Sequence, residues 1–246
     1  MSDFKGKTEL ITGAAVGIGR AVAHRMASLG AKLVLVDVNI EKLQAVKREL
    51  EQHTNDVLIF ECDITDQEKV NEIANESKKA FGGIDILVNN AAVWRSFKPF
   101  TEITNEEWKQ FLNINIMGVV NFTKAVLPMM IEKRYGRIIN VSSVAGVYGI
   151  ANMVHYSATK GAVISMTKAL AKEVAEKGIT VNAVSPGTVS DSSNPDMDSY
   201  IENDMSYIGR TGTNNENADL ICFLASDKAG YISGENIQID GCRRRI

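Results

Sequence analysis

The sequence predicts an α/β fold in which one doubly wound parallel sheet is covered by helices on both faces. Short apolar segments rich in β-branched residues alternate with longer amphipathic segments along all 246 residues. No fixed-period repeat, proline-rich linker or low-complexity block interrupts this alternation. Because a parallel connection needs a crossover of helix length, the pattern favours a single domain over residues 1–246.

Seven segments have the length and composition of buried strands. They are residues 8–12, 32–36, 57–61, 84–88, 137–141, 180–184 and 236–239. The segments between them have helical periodicity. Two of these carry the spacing of a capping box, Thr65 with Glu68 and Thr104 with Glu107. We therefore expect helices to begin at these two threonines.

One long stretch, residues 188–212, departs from this pattern. It is polar and contains two Met, two Tyr, Pro195 and several Asp and Asn residues. A connection of this length inside a compact domain is typical of a functional loop, so we expect a lid over the substrate. A surface insertion with short helices of its own is the alternative.

Composition narrows the classes of function. The net charge is −3 and the charges are mixed along the chain, so no face for nucleic acid is expected. Three unpaired cysteines, and the absence of a signal peptide or membrane-spanning pattern, predict a cytoplasmic protein with no membrane partner. No His, Cys and carboxylate cluster suggests a metal. The basic run at 243–245 is interpreted as a solvated tail.

A glycine-rich turn, Thr-Gly-Ala-Ala-Val-Gly-Ile-Gly at 12–19, follows the first predicted strand and opens the first predicted helix. Glycines let a pyrophosphate approach backbone N–H groups, and the helix directs its positive end at the anion. Glycines alone also mark ordinary turns, so the order of strand, glycines and helix carries the prediction. We expect Gly13, Gly17, Ile18 and Gly19 to bind a dinucleotide.

Asp37 ends the second predicted strand, 18 residues after Gly19. A carboxylate in this place accepts hydrogen bonds from an adenosine ribose and repels a 2′-phosphate. No cation stands beside it, since Val16 lies in the glycine turn and Val38 follows Asp37. We therefore predict NAD(H) in preference to NADP(H). The alternative is that Asp37 only caps the next helix or faces water.

Residues just past the carboxyl ends of the third and fourth strands are also predicted to line the cofactor crevice. They are Asp63, Ile64, Asn90 and Ala91. We expect contacts with the adenine and the nearer ribose.

Tyr156 and Lys160 are four residues apart in a predicted helix, which places them on one face. A neighbouring ammonium is expected to lower the pKa of the phenol enough for acid–base chemistry near neutral pH. The same spacing also occurs wherever a packed ring lies beside a long amine.

Ser143 ends the fifth predicted strand and is placed to hydrogen-bond a substrate carbonyl. Asn115 is expected to hold Lys160 and relay protons through water, or to mark an incidental helix kink.

With these motifs the chain resembles the short-chain dehydrogenase/reductase family over essentially its whole length. The matching segments are 12–19, 85–91, Asn115, Ser143, Tyr156 with Lys160, and 186–187. The resemblance implies a Rossmann fold, a homotetramer and NAD(H)-dependent hydride transfer. Departures from the family pattern are Ala92 where Gly is frequent, Asp191 where Thr is common, and Cys242 in place of a Gly.

The resemblance also implies a role for each matching residue. Tyr156 is the general acid/base, Ser143 polarises the carbonyl, and Lys160 binds the nicotinamide ribose. Asn115 completes a proton relay. Past the sixth strand, Gly187 and Val189 lie at the nicotinamide carboxamide.

The predicted activity is hydride transfer between the nicotinamide and a secondary alcohol or ketone of a small molecule. A sugar or polyol, a hydroxy-acyl compound and a steroid-like compound all remain open as substrates. Predicted substrate contacts are Trp94, Ser143, Tyr148, His155 and Tyr156. A catalytically idle NAD-binding sensor or scaffold is the main alternative, and an epimerase or dehydratase that retains NAD is a third interpretation.

Overall fold

A seven-stranded parallel sheet forms the centre of the structure, a computed structural model that describes residues 4–244. The strands are β1 Thr8–Thr12, β2 Lys32–Asp37, β3 Val57–Glu61, β4 Ile86–Asn89, β5 Gly136–Val141, β6 Ile179–Pro186 and β7 Asn236–Ile239. The helices are α1 Gly17–Ser28, α2 Ile40–Leu50, α3 Gln67–Phe81, α4 Asn105–Leu112, α5 Gly118–Lys133, α6 Ala145–Tyr148, α7 Val154–Val174 and α8 Asn214–Ala225.

The strand order is β3-β2-β1-β4-β5-β6-β7, and every pairing between neighbours is parallel. The chain therefore builds one half of the sheet outward from β1 and then returns to build the other half from β4. The loops after β1 and β4 leave the sheet in opposite directions and open a crevice at their carboxyl ends, which is where ligands bind in such sheets.

Helices pack on both faces of the sheet because neighbouring strand residues point to opposite sides. In β1, Leu10 joins an apolar cluster with Phe122 of α5, whereas Ile11 joins a second cluster with Met26 of α1 and Ile221 of α8. All five side chains are fully buried. These two layers confirm the predicted doubly wound α/β fold.

Strand positions agree closely with the sequence prediction, whereas one helix start does not. The capping box of Thr104 and Glu107 opens α4 as predicted. At α3 the prediction was wrong, because the cap is Asp66, whose carboxylate accepts from the N–H of Lys69. Asp63 holds the N–H of Thr65 in a turn at 2.9 Å, so the helix begins one residue later.

A π-helical turn, Asn113–Met117, joins α4 to α5 into one continuous helical run. The run Asn105–Lys133 has the length and apolar composition of a membrane span, but half of its most apolar window is buried inside the domain. Burial of this kind is typical of a core helix that packs on a sheet.

The stretch 188–212 contains no helix among the residues that the structure describes. Isolated bridges hold it, joining Val189 to Gly212, Glu202 to Arg210, and Ser206 to Arg243. The alternative of a surface insertion with short helices is therefore wrong. The stretch, which we call the lid segment, lies along the carboxyl edge of the sheet.

Candidate active site

A cavity of about 850 Å³ runs along the carboxyl edge of the sheet. It brings together most of the residues that the sequence analysis selected. Those on its wall are Gly13, Gly17, Ile18, Asp37, Asp63, Ile64, Asn90, Ala91, Trp94, Ser143, Tyr156, Lys160, Gly187 and Val189.

The glycine turn at one end of the cavity keeps space free next to the backbone. Gly13 has φ +66°, and a Cβ there would lie 2.8 Å from the Asn90 amide nitrogen. That amide donates to the carbonyls of Thr12 and Gly13 at 2.9 and 3.0 Å, so β4 clamps the turn after β1. Gly17, with φ +58°, starts α1. The result is a cradle of backbone N–H groups at a helix start, which suits a pyrophosphate.

Gly19 is the exception among the predicted glycine contacts, because it does not border the cavity. A Cβ at Gly19 would lie 2.2 Å from the carbonyl oxygen of Gly13 and 2.7 Å from the Asn90 amide. The residue therefore lets α1 pack tightly against the turn after β1. The cavity wall gives no support for a direct cofactor contact by Gly19, which stays a prediction.

The Asp37 carboxylate lies on the cavity wall at the end of β2. One oxygen accepts from the N–H of Ala15 in the glycine turn, and the other accepts from the N–H of Asn39, both at 3.0 Å. Asn39, and not Asp37, caps α2, so the helix-cap alternative is excluded. Both hydrogen bonds hold the carboxylate in place beside the cradle.

Two further polar groups near the cradle lack partners within the part of the chain that the structure describes. The Ser190 hydroxyl and the Asn214 amide nitrogen are buried without a hydrogen bond, and both residues border the cavity. Buried polar atoms are rarely left unpaired. Together with the open cradle and the Asp37 carboxylate, they fit a polar dinucleotide.

Ser143 and Tyr156 meet further along the same cavity. Ser143 follows β5 and Tyr156 lies in the first turn of α7, and a hydrogen bond joins their side chains. Burial raises the pKa of Tyr156 above its ordinary value, and this hydrogen bond only partly opposes the rise. The phenol is therefore protonated at neutral pH in this arrangement, and the serine orients it.

Lys160 lies one helical turn beyond Tyr156 and is buried. Its Nζ donates to the carbonyl of Val141 at 2.7 Å and lies 5.9 Å from the centre of the Tyr156 ring. Burial lowers the pKa of Lys160 to about 8. The expected lowering of the Tyr156 pKa by this lysine is not seen here, because Nζ points to the end of β5 and burial dominates the phenol.

Asn115 lies in the π-helical turn and is fully hydrogen-bonded, but not to Lys160. Its amide oxygen accepts from the N–H of Val93 at 2.8 Å. Its amide nitrogen donates to the carbonyl of Val93 at 2.9 Å and to the hydroxyl of Thr159 at 3.1 Å. The expected side-chain contact with Lys160 is therefore wrong. Asn115 instead fixes the loop after β4 against α7.

Two of the predicted substrate contacts lie outside the cavity. His155 is completely buried against Phe111, with ring centres 3.9 Å apart, because it follows the core face of α7. Tyr148 is exposed, and its hydroxyl bonds Gln238. The structure thus gives neither residue a place on the cavity wall. Trp94, in contrast, does border the cavity, and its ring is 45% exposed.

The sequence analysis also missed residues on the cavity wall. Ser190 and Asn214 carry no motif, and Arg243 was interpreted as part of a solvated tail. Arg243 lies only four residues past β7, at the same edge of the sheet. That distance from a strand end was the one available signal.

A Rossmann fold with a dinucleotide cradle and a Ser, Tyr and Lys set in one cavity defines a nicotinamide-dependent class of oxidoreductase. The chain belongs to the short-chain dehydrogenase/reductase family. A family model described as enoyl-(acyl carrier protein) reductase matches residues 13–242.

Individual relatives cover nearly the whole chain. The 3-oxoacyl-[acyl-carrier-protein] reductase FabG of Thermotoga maritima is 40% identical over 97% of this chain and 98% of its own length. The Escherichia coli FabG is 36% identical, with 97% and 98% covered.

Two solved structures share the same fold. The NAD⁺-bound structure of a xylitol dehydrogenase superposes with a TM-score of 0.89 at 32% identity, covering 97% of this chain and 99% of that one. A levodione reductase superposes with a TM-score of 0.89 at 33% identity, with 97% of both chains covered.

Proposed function

We propose that this protein is an NAD(H)-dependent oxidoreductase that moves a hydride between the nicotinamide and a secondary alcohol or ketone of a small molecule. One observation carries the proposal. The hydrogen-bonded pair of Ser143 and Tyr156, with Lys160 behind it, shares a single cavity with the glycine cradle and the Asp37 carboxylate.

The chemistry divides between cofactor and protein. When bound, the nicotinamide supplies or accepts the hydride. Tyr156 gives a proton to the carbonyl oxygen in reduction and takes it from the alcohol in oxidation. Ser143 holds the substrate oxygen beside the phenol. Lys160 donates only one of its three N–H groups to Val141, which leaves donors for ribose hydroxyls.

Turnover is tested by the absorbance of reduced nicotinamide, with NAD(H) and NADP(H) in turn. The panel contains polyols, hydroxy esters, hydroxy acids and hydroxysteroids with their ketones. NAD(H) binding without turnover of any compound contradicts the proposal and favours the sensor or scaffold.

The preference for NAD(H) rests on Asp37. Its carboxylate is held by two backbone N–H groups and retains lone pairs for two ribose hydroxyls. It repels a 2′-phosphate, and its neighbour Val38 offers no compensating charge. Near the other end of the cavity, Gly187 and Val189 follow β6 and are proposed to hold the carboxamide.

Asp37→Ala is expected to weaken NADH binding about 10- to 100-fold, because hydrogen bonds to a charged group contribute roughly 1.5–3 kcal/mol. The same change removes repulsion, so NADPH binding is expected to improve. Titration of both cofactors into wild type and variant measures this. Glu41→Ala removes an exposed carboxylate of α2 and is the control. Equal NADH affinity in Asp37→Ala and wild type contradicts the assignment.

We also propose a cytoplasmic homotetramer. The helical run over α4 and α5 leaves the apolar side chains of Leu112, Met117 and Ile131 each about two-fifths exposed (40%, 44% and 39%), and subunit packing would cover them. Light scattering is expected to give four times the chain mass of 26.9 kDa. A monomer mass contradicts this prediction.

A further inference from the structure

The segment after β7 is part of the cavity wall and not a solvated tail. Residues 241–244, which we call the C-terminal segment, pair with residues 205–208 of the lid segment. The carbonyl of Cys242 accepts from the N–H of Tyr207 at 2.9 Å, and the N–H of Arg244 donates to the carbonyl of Met205 at 2.9 Å. An antiparallel bridge joins Ser206 to Arg243. This pairing corrects the tail interpretation, because it fixes the backbone of Arg243.

The side chain of Arg243 borders the cavity and is partly buried. It makes no hydrogen bond or ion pair with any residue in 4–244. Asp240 borders the same small side pocket but forms no ion pair with it. Arg210, also on that pocket, is neutralised by Glu216 at 2.6 Å. Within residues 4–244, Arg243 is therefore a cation without an ion-pair partner on the wall of the site.

Arg95 is the other arginine on the cavity wall, and its surroundings differ. Its guanidinium lies 5.1 Å from the centre of the Trp94 ring. Hydrogen bonds from Ser193, and to a smaller extent the charge of Arg95, lower the pKa of Asp191. The charge of Asp191 thus partly neutralises the charge of Arg95. Of the two arginines, Arg243 is therefore the one better placed to bind an added anion.

The end of β7, from which Arg243 follows, is far from the part of the sheet that carries the predicted cofactor phosphates. Neighbouring strands lie about 4.8 Å apart, so the end of β7 is roughly 24 Å from the end of β2 at Asp37, five strands away. The glycine cradle after β1 is four strands away, or about 19 Å. Ser143 after β5 is only two strands away. Arg243 therefore belongs to the catalytic end.

We propose that Arg243 binds a carboxylate of the substrate, so that the substrates are hydroxy acids and oxo acids and not neutral polyols. The inference rests on the proposed function and names its substrate class. A guanidinium forms two parallel hydrogen bonds with a carboxylate. Apolar residues, including Trp94, Ile150 and Met153, line the same cavity and suit an aliphatic chain between the two polar ends.

The test compares 3-hydroxybutanoate, 5-hydroxyhexanoate and 7-hydroxyoctanoate with their methyl esters, using NAD. Each ester lacks the negative charge at the far end and carries one additional methyl group. We expect kcat/KM to favour the acid at the chain length that spans the site. In Arg243→Met the acid-to-ester ratio is expected to fall about 10- to 100-fold, as loss of a charged hydrogen-bond pair predicts. Arg243→Lys is expected to retain part of the ratio.

Arg244→Met is the matched control, because Arg244 is exposed beside the Tyr207 ring and does not border the cavity. Its acid-to-ester ratio is expected to equal that of wild type. The proposal is overturned if wild type turns over acids and esters equally. It is also overturned if the acid-to-ester ratio falls equally in Arg243→Met and Arg244→Met.

Binding of hexanoate to the NADH complex, measured by calorimetry, separates this inference from the proposed function. If no compound is turned over, the proposed function fails, and the inference is then decided by binding alone. Hexanoate binding that is lost in Arg243→Met but kept in Arg244→Met supports the carboxylate site. Equal hexanoate binding by wild type and Arg243→Met, or none by wild type, overturns it.

Discussion

Tyr156→Phe is expected to lower kcat by about 10³-fold or more while NADH binding and folding stay close to wild type. General acid–base catalysis contributes roughly 10² to 10⁴ in rate. The ring would still pack against Phe111, whose centre lies 6.5 Å away, so the cavity keeps its shape. Only the hydroxyl that bonds Ser143 is lost.

Tyr148→Phe is the matched control for this prediction, because it removes a tyrosine hydroxyl outside the cavity that bonds Gln238. Reduced-nicotinamide absorbance measures turnover, and fluorescence titration measures NADH affinity. Full activity in Tyr156→Phe would assign the proton transfer to another group. Loss of activity in Tyr148→Phe to the same degree would show that the effect is general to the fold.

The direction of the Tyr156 pKa also predicts how each reaction depends on pH. Since burial raises that pKa, the phenol is protonated at neutral pH and ready to donate. Reduction needs the protonated phenol, and oxidation needs the deprotonated one. Alcohol oxidation is therefore expected to accelerate as pH rises toward the pKa, while ketone reduction slows. The positive charge of oxidised nicotinamide, when bound, is expected to favour the phenolate and so to move this crossover to lower pH.

Local patterns in the sequence were enough to predict the sheet and to select residues that the structure brings together on one cavity wall. Apolar β-branched runs mark the strands because the strands are buried on both faces. The carboxyl ends of parallel strands share one edge, so the sequence places residues such as Asp37, Asn90 and Ser143 near one another. A spacing of four residues on a helix likewise places Tyr156 and Lys160 on one face.

Predictions failed where the contacts of a residue depend on the direction of its side chain or on pairing between segments that are distant in sequence. His155 is next to Tyr156 in sequence, but successive helix residues point about 100° apart, so it turns into the core. Asn115 lies in a π-helical turn that changes which groups its amide reaches. Arg243 depends on pairing between the C-terminal segment and the lid segment, and no local pattern encodes that contact.

A substitution at Glu9 is expected to have a large effect on the stability of the fold. Glu9 is the second residue of β1, a strand inside the sheet with β2 and β4 on either side, and it is completely buried. Neither carboxylate oxygen has a hydrogen-bond partner among the residues in 4–244. Burial raises the pKa of Glu9 well above 4.5. The charge of Glu9 contributes to the raised pKa of Cys222 on α8, while the nearby Arg25 pairs with Asp219 at 2.6 Å and not with Glu9.

The sign of the pH effect follows from that shift. The folded protein holds the Glu9 proton more tightly than the unfolded chain, so folding is favoured most at pH values below about 4.5. As pH rises from there to the folded-state pKa, this residue reduces stability by about 1.4 kcal/mol per pH unit. Carboxylates with lowered pKa values, such as Glu216 at about 2, act oppositely but at lower pH.

Glu9→Leu is therefore expected to stabilise the protein, and the gain is expected to grow with pH. Relative to wild type, the Tm should rise by roughly 3–5 °C more for each pH unit between about 5 and the folded-state pKa of Glu9, since 1 kcal/mol corresponds to about 2–4 °C for a chain of this size. Calorimetric scans of both proteins from pH 5 to 8, at equal concentration, measure the difference. Glu9→Gln removes the titration but keeps a buried polar group, so it should show the same pH trend with a smaller gain at every pH. A Tm difference between Glu9→Leu and wild type that stays constant over this range would mean that Glu9 has the same protonation state in the folded protein as in the unfolded chain, and it would contradict the prediction.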